Sequence, residues 1–350
     1  MTTITSVSDL TSWIGTGTAT LANDITIDSD TGFPVAIGST GATTLFNGQR
    51  FTITLSGLTN FPGLFRPISS AQEITVQKII VSVSSTTFDT GCGAIISSTD
   101  ETDTIIDYVL NIQNCGAIGT YTIAPRAGAI VGSISQDILN NESLTVNGCY
   151  STGDITNFAS GGIVGWASGR GGTVSITNCY STGGISGTGS GGIVGLKFGM
   201  GATATITNCY STGTINKYDG TTGQNSAGGI VGGYAGYNGG SVTISNCYSS
   251  GILTTGGGIC GHVNTGDTVT INNCYSLNSV TTGNGDQDFV AVNDGTVNIS
   301  DSTARNGSSW NASLGTDLLD NGTWDDTTSS SPFLLTHFQA DPWSTGTYTT

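Results

Sequence analysis

Short stretches of alternating polar and β-branched apolar residues recur through the middle of the chain. Thr173-Val174-Ser175-Ile176-Thr177 is one, and 203–207, 241–245 and 268–272 repeat its period of two. That period predicts half-buried strands, with Val and Ile facing a core and the hydroxyls facing water. Before each strand comes a glycine-bounded apolar run, Gly-Gly-Ile-Val-Gly, at Gly161, Gly191 and Gly228, with variants at Gly128 and Gly257. After each comes Asn-Cys-Tyr-Ser, starting at Asn178, Asn208, Asn246 and Asn273, with Gly148-Cys149-Tyr150-Ser151 as a variant. Asn tolerates the left-handed backbone and predicts a sharp bend there. The cysteine then resumes the inward set, and the tyrosine is expected to project outward. A further turn, Thr182-Gly183-Gly184, leads to a third short strand at Ile185. No helical period fits, and each interior glycine would cost a helix about 1 kcal/mol.

The pattern returns every 27 to 38 residues. Three short strands with bends close one coil, and a single coil cannot bury its own apolar face, so the coils must stack. The predicted fold class is all-β: a parallel β-helix, or solenoid, of roughly 8–10 coils. Gly63-Leu64-Phe65 and Gly93-Ala94-Ile95-Ile96 occupy the Gly-Gly-Ile-Val slot upstream. Phe289-Val290-Ala291 with Thr296-Val297-Asn298-Ile299 reads as a decayed last coil. At about 4.8 Å per rung the rod is roughly 45 Å long. An open end would expose a sheet edge. Residues 1–20 are therefore expected to cap the rod, with a short amphipathic helix over Ser8–Ile14, and 21–300 to form its body. Residues 301–350 lose the repeat and read as a cap or attachment segment, with Trp310, Trp324, Trp343 and Pro332-Phe333-Leu334-Leu335.

Charge narrows the function classes. Eight Lys and Arg against 24 Asp and Glu give a net charge of −16, which argues against nucleic acid and anionic membranes as partners. The acids avoid the repeat body: between Ser160 and Gly285 only Asp219 and Asp267 are acidic. Met1–Ser6 has no basic segment or apolar run, so no secretory leader is expected. No stretch reaches the roughly 18 apolar residues that span a bilayer. The Asn-X-Ser/Thr triplets at Asn141, Asn306, Asn311 and Asn321 then read as chance.

Of eight cysteines, Cys115, Cys149, Cys179, Cys209, Cys247 and Cys274 fall at one position of successive coils. Each would have identical neighbours above and below, so disulfide pairing would be arbitrary. They are expected to form a ladder of buried free thiols acting as small hydrophobes. No C-x-x-C occurs and only His262 and His337 could join a metal site, so no metal or other cofactor is expected.

The chain resembles the GLUG-repeat family. Leu21-Ala22-Asn23-Asp24-Ile25, Phe46-Asn47-Gly48-Gln49-Arg50-Phe51-Thr52-Ile53 and Gly63-Leu64-Phe65 are similar to its opening strands. The Gly-Gly-Ile-Val-Gly and Asn-Cys-Tyr-Ser copies resemble its body, and Pro332–Leu335 through Trp343 its C-terminal ending. The resemblance covers most of the chain and implies a right-handed parallel β-helix, as in bacterial surface adhesins and proteins of large DNA viruses. It implies architecture and no particular activity.

Catalytic constellations are sparse. Polysaccharide-cleaving β-helices need paired carboxylates, or an Arg or Lys base with carboxylate-bound calcium. Arg170, Lys197 and Lys217 sit in turns at unmatched positions. Asp100-Glu101-Thr102-Asp103 with Asp107 is the densest carboxylate cluster and reads as a solvated loop. Asp28-Ser29-Asp30 and Gly285-Asp286-Gln287-Asp288 carry only fragments of a calcium loop. Cys260 and His262 would project the same way from a strand, without a third orienting group. No enzyme is expected.

Binding carries more weight. The outward residues Thr173, Ser175, Thr177, Thr203, Thr205, Thr207, Ser241, Thr243 and Ser245 would stack as a flat, uncharged hydroxyl lattice. It could meet carbohydrate or ice, although Thr is also simply a good strand former. The Tyr column, including Tyr180, Tyr210 and Tyr248, could rim a sugar or protein groove, or stack for stability. The sequence thus reads as a non-enzymatic structural or adhesive protein, foremost a virion component assembled in a reducing cytoplasm. Its partners would be other capsid proteins, a surface glycan or further copies of itself. A cellular adhesin or carbohydrate- or ice-binding protein at a cell surface is the alternative, and a polysaccharide lyase or hydrolase a weaker one.

Overall fold

A computed structural model describes residues 1–38, 41–68, 73–99, 109–134, 143–168, 172–216, 226–276, 289–300 and 303–304. The chain is a β-solenoid of parallel strands with almost no helix. One face is an eleven-stranded sheet running from Thr2–Ile4 to Thr296–Ser300. A second face is a ten-stranded sheet from Ile25–Ile27 to Thr303–Ala304. The Gly-Gly-Ile-Val-Gly segments line a third side, bridged in parallel through Val131, Val164, Val194, Val231 and Cys260.

Register follows the repeat without slips along the body of the first sheet, whereas the short pair Ile215–Asn216 with Leu253–Thr255 carries a shift. Val174 pairs with Ala204, then Val242, then Val269, while Ile176, Ile206, Ile244 and Ile271 form the next column. All eight are buried. Because the side-chain period of a strand is two, a one-residue slip would turn each of these columns outward. The hydroxyl residues between them stay partly or fully exposed, so the expected lattice is present on the first sheet.

The bend is built by the asparagines. Asn178, Asn208, Asn246 and Asn273 have φ of 55°, 55°, 52° and 46°. Their side chains are also coupled from coil to coil. Asn208 Nδ2 donates to Asn178 Oδ1 at 3.2 Å, Asn246 to Asn208 at 3.2 Å and Asn273 to Asn246 at 2.8 Å. Where glycine replaces the first Asn of the series, Asn147 supplies the acceptor for Asn178 at 2.9 Å. The residue type thus solves two problems, backbone hand and satisfaction of its own amide.

All six cysteines of the ladder are buried and free. Backbone N–H groups of Cys149, Cys179 and Cys209 donate to the sulfur one coil on, each at 3.4 Å. The thiols of Cys179 and Cys209 in turn donate to the carbonyls of Thr177 and Thr207. Burial pushes the thiols of Cys115, Cys149, Cys209 and Cys274 well above the ordinary range, while hydrogen bonds with the neighbouring cysteines draw Cys179 and Cys247 below it; all six are sealed from solvent, which keeps them unreactive in the folded chain. Denaturant without reductant should therefore release all eight thiols to a chromogenic disulfide reagent. The native protein should react slowly, and fewer than about six released thiols would contradict a ladder of small hydrophobes.

The tyrosines stack, as one of the two readings expected, but do not project outward into solvent. Tyr150, Tyr180, Tyr210, Tyr248 and Tyr275 are buried, with Tyr248 at 0 % exposure, and do not rim an open groove. The reason lies in the neighbouring coils. The rings of Tyr180, Tyr210 and Tyr248 stack nearly parallel, with centroids 4.9 and 4.8 Å apart, so each covers the faces of the next. Tyr150 continues the stack at 5.3 Å. Its ring also lies over Gly116 of the preceding coil, where a Cβ would fall 2.4 Å from Tyr150 Cζ. The column stabilises the rod and contributes no free binding surface.

The serine that ends Asn-Cys-Tyr-Ser explains a glycine elsewhere in the coil. Ser151 Oγ donates to the carbonyl of Gly162 at 2.6 Å. A Cβ on Gly162, Gly192 or Gly229 would meet Ser181, Ser211 or Ser249 Oγ within 2.5 Å. The second glycine of Gly-Gly-Ile-Val-Gly is therefore the seat of the serine column, and the two motifs recur together because they touch.

The rod is capped at its start. Ser6 accepts from Asp9 N–H at 3.1 Å and opens helix α1, Val7–Ser12. The helix is displaced from the expected Ser8–Ile14 because its cap lies at Ser6. Ile14 leaves it and is 80 % exposed. Leu10 and Trp13 are buried over the first coils, with Trp13 5.8 Å from Phe46 and 6.4 Å from Phe65 between ring centroids. At the other end, Val290–Asn293 pairs with Cys260–Val263, and Thr296–Ser300 with Thr268–Asn272, so the decayed coil is a true rung. The rest of the C-terminal segment, the 100–107 acidic cluster, Gly285–Asp288, Arg170 and Lys217 lie outside the described residues.

Candidate functional site

A solenoid this regular localises function where the repeat changes. Positions in the Val131, Val164, Val194 and Val231 column are fixed by the core. Two residues further on, the residue type differs from coil to coil: Ser98, Ser133, Trp166, Leu196, Gly233 and His262. At Leu196 the space is filled, since a Cβ on Gly189 would be 2.6 Å from Leu196 Cδ1. At Ser98 and Ser133 it is not, because these side chains are short and the facing residue is Gly91. The outcome is an open cleft of about 570 Å³, bounded by Pro34 and Pro62 on one side and Trp166 on the other.

Its walls are polar and net positive among the described residues. Arg66 comes from strand Phe65–Pro67, and Arg126 from a turn in which it adopts φ 62°. These are two of only eight cations in a chain of net charge −16. Asp89 is the single described carboxylate of the lining, and its Oδ1 accepts from Thr90 N–H at 2.7 Å. Ser97, Ser98, Thr99 and Ser133 supply hydroxyls. Thr99 is only 3 % exposed, and among the described residues its Oγ1 has no hydrogen-bond partner. A buried hydroxyl left unpaired costs about 1–3 kcal/mol, and Thr99 borders the cleft.

Trp166 links the cleft to a ribbon of aromatic and charged groups. The Arg126 guanidinium lies 5.1 Å from the Trp166 ring centroid and the Lys197 ammonium 5.7 Å from it. Lys197 also lies 4.4 Å from the Tyr237 ring. Beyond it, Tyr234 packs edge-on against Tyr237 and His262, and His262 Nε2 is 3.1 Å from Asp294 Oδ2. Arg126, Trp166, Lys197 and Tyr237 thus alternate cation and ring over four coils. Such pairs are worth about 0.5–1 kcal/mol at exposed sites and hold the side chains in place.

Cys92 is a buried thiol 3.4 Å from Ser98 Oγ and 3.6 Å from Ser97 Oγ, with no imidazole among the described lining residues to activate it. Cys260 and His262 do not form a pair. The Cys260 thiol lies 3.8 Å from the His262 backbone carbonyl, and burial raises it to about 12. Asp28 and Asp30 are exposed. Among the described residues no group of three or more His, Cys, Asp or Glu is placed to hold a metal ion, and no helix is long and apolar enough to cross a membrane.

The sequence motifs found the scaffold and the hydroxyl lattice but missed the cleft. The available signal was the variability after Gly-Gly-Ile-Val-Gly, and Trp166 was part of it. No family model matches the chain, and no curated protein matches it. It is similar to the crystal structure, at 1.30 Å, of a Bacteroides ovatus protein provisionally described as an immunoglobulin A1 protease. The identity is 18 %, covering 95 % of this chain and 91 % of the other, with a TM-score of 0.46.

Proposed function

We propose that this protein is a non-enzymatic adhesive rod that binds a glycan through the Arg66–Arg126–Trp166 cleft. The observation that carries the reading is the cleft itself, a place where the regular body opens into a space lined by hydroxyls, an aromatic ring and opposed charges. Sugar-binding sites need that mixture: a flat ring for the C–H face and fixed polar groups for orientation. The single described carboxylate of the lining gives no acid/base pair for glycoside hydrolysis, which needs two. A stiff body of stacked coils with an uncharged flank suits display from a particle or a cell, in keeping with the resemblance to GLUG-repeat proteins. The tested prediction is retention on a glycan array by the fluorescently labelled chain, with the retained sugars recovered uncleaved. No retained glycan, or cleaved sugar, would sink it. As a component of a virus particle, the protein should be found by mass spectrometry in purified virions at a fixed ratio to the capsid protein.

A further inference from the structure

We infer that the cleft takes a sugar bearing one carboxylate, a uronate-type unit of an acidic glycan. This deepens the adhesive reading and rests on it. An acidic chain with eight cations commits two, Arg66 and Arg126, to one cleft of about 570 Å³. Guanidinium groups hold carboxylates by paired, charge-assisted hydrogen bonds, which a neutral sugar does not offer. The volume lies inside the usual range for a small-molecule site.

The remaining lining fits a sugar monoanion better than a phosphate or sulfate ester. Asp89 shares the wall with the arginines. A carboxylate acceptor there suits a sugar hydroxyl and opposes a second negative charge on the ligand. Trp166 offers a partly exposed ring, fixed by Arg126 at 5.1 Å, against which a pyranose can pack. Thr99 Oγ1, buried and without a partner among the described residues, has a hydrogen bond still to make. A polyanion such as nucleic acid would meet the field of the −16 chain beyond the cleft.

The test uses tetragalacturonate, its methyl ester, which removes only the charge, and a sulfated tetrasaccharide, each titrated by calorimetry into the whole protein. The acid should bind at least about tenfold more tightly than the ester or the sulfated sugar, and its affinity should fall with added salt. Arg66→Gln and Arg126→Asn should each cost about tenfold; Asn is chosen at 126 because it accepts the φ of 62°. Thr99→Val keeps shape and removes the unpaired hydroxyl. It should weaken binding several-fold while leaving the melting temperature unchanged or raised, a combination a merely structural Thr would not give. Equal affinity for acid and ester would overturn the carboxylate assignment and leave glycan binding standing. Tighter binding of the sulfated sugar would overturn the anion class. Acid binding untouched by all three variants would place it elsewhere, and no binding of any sugar would remove the adhesive reading as well.

Discussion

Gly192→Ala is expected to abolish the cooperative unfolding transition at room temperature, or to lower stability by more than about 4 kcal/mol. A Cβ on Gly192 would lie 2.1 Å from the carbonyl oxygen of Gly229 and 2.5 Å from Ser211 Oγ, both in the next coil. Neither can retreat cheaply. Gly229 belongs to the segment that receives Gly192 N–H at Gly228 O, 3.2 Å, and the N–H groups of Ile193 and Val194 at Ile230 O, 3.0 Å each. Making room would part these rungs, and every rung beyond follows, because each coil's core is completed by its neighbour. Gly184→Ala is the control. Its Cβ would find nothing nearer than Asp154 Oδ1 at 3.8 Å, so the change should stay within about 1 kcal/mol. Urea unfolding followed by circular dichroism reads both, and equal midpoints would contradict the coil-to-coil packing.

Trp13→Ala should cost about 3–5 kcal/mol, the usual loss for deleting a buried aromatic. The Trp13 ring closes the end of the core over Phe46 and Phe65, and its Nε1 donates to Thr16 O at 3.1 Å. Helix α1 shares the task through buried Leu10. Without the ring, the first strand, Thr2–Ile4, loses its cover and becomes an edge open to other chains. The variant should therefore aggregate in light scattering at temperatures where the parent is monodisperse. A soluble variant with the parental melting temperature would show that the helix and aromatic plug are not a cap.

The scaffold was legible because its rules are local. Period-two alternation in Thr173–Thr177 set the faces of a strand, and an Asn after it set the bend. The stacking of the tyrosines was legible, but their burial was not, for a reason that local rules miss. Alternation distinguishes inward from outward, but Tyr210 is kept from water by Tyr180 and Tyr248, residues 30 or more positions away in other coils. The cleft was hidden for the same reason. Arg66, Asp89, Thr99, Arg126 and Trp166 span a hundred positions and meet only through register. What opens the space is the smallness of Ser98 and Ser133 beside Gly91, where a later coil places Leu196 against Gly189. No motif records that contrast; comparing each coil with the next does.

The central claim is that the repeats build the rod and the places where they vary make the contact. Hydrogen–deuterium exchange of the whole protein, with and without saturating tetragalacturonate, tests it most directly. Added protection should appear in amides of 89–99, 126–133 and around Trp166, with the hydroxyl-lattice strands 173–177, 203–207 and 241–245 unchanged. Protection confined to those lattice strands, or none at a concentration that saturates binding, would contradict it.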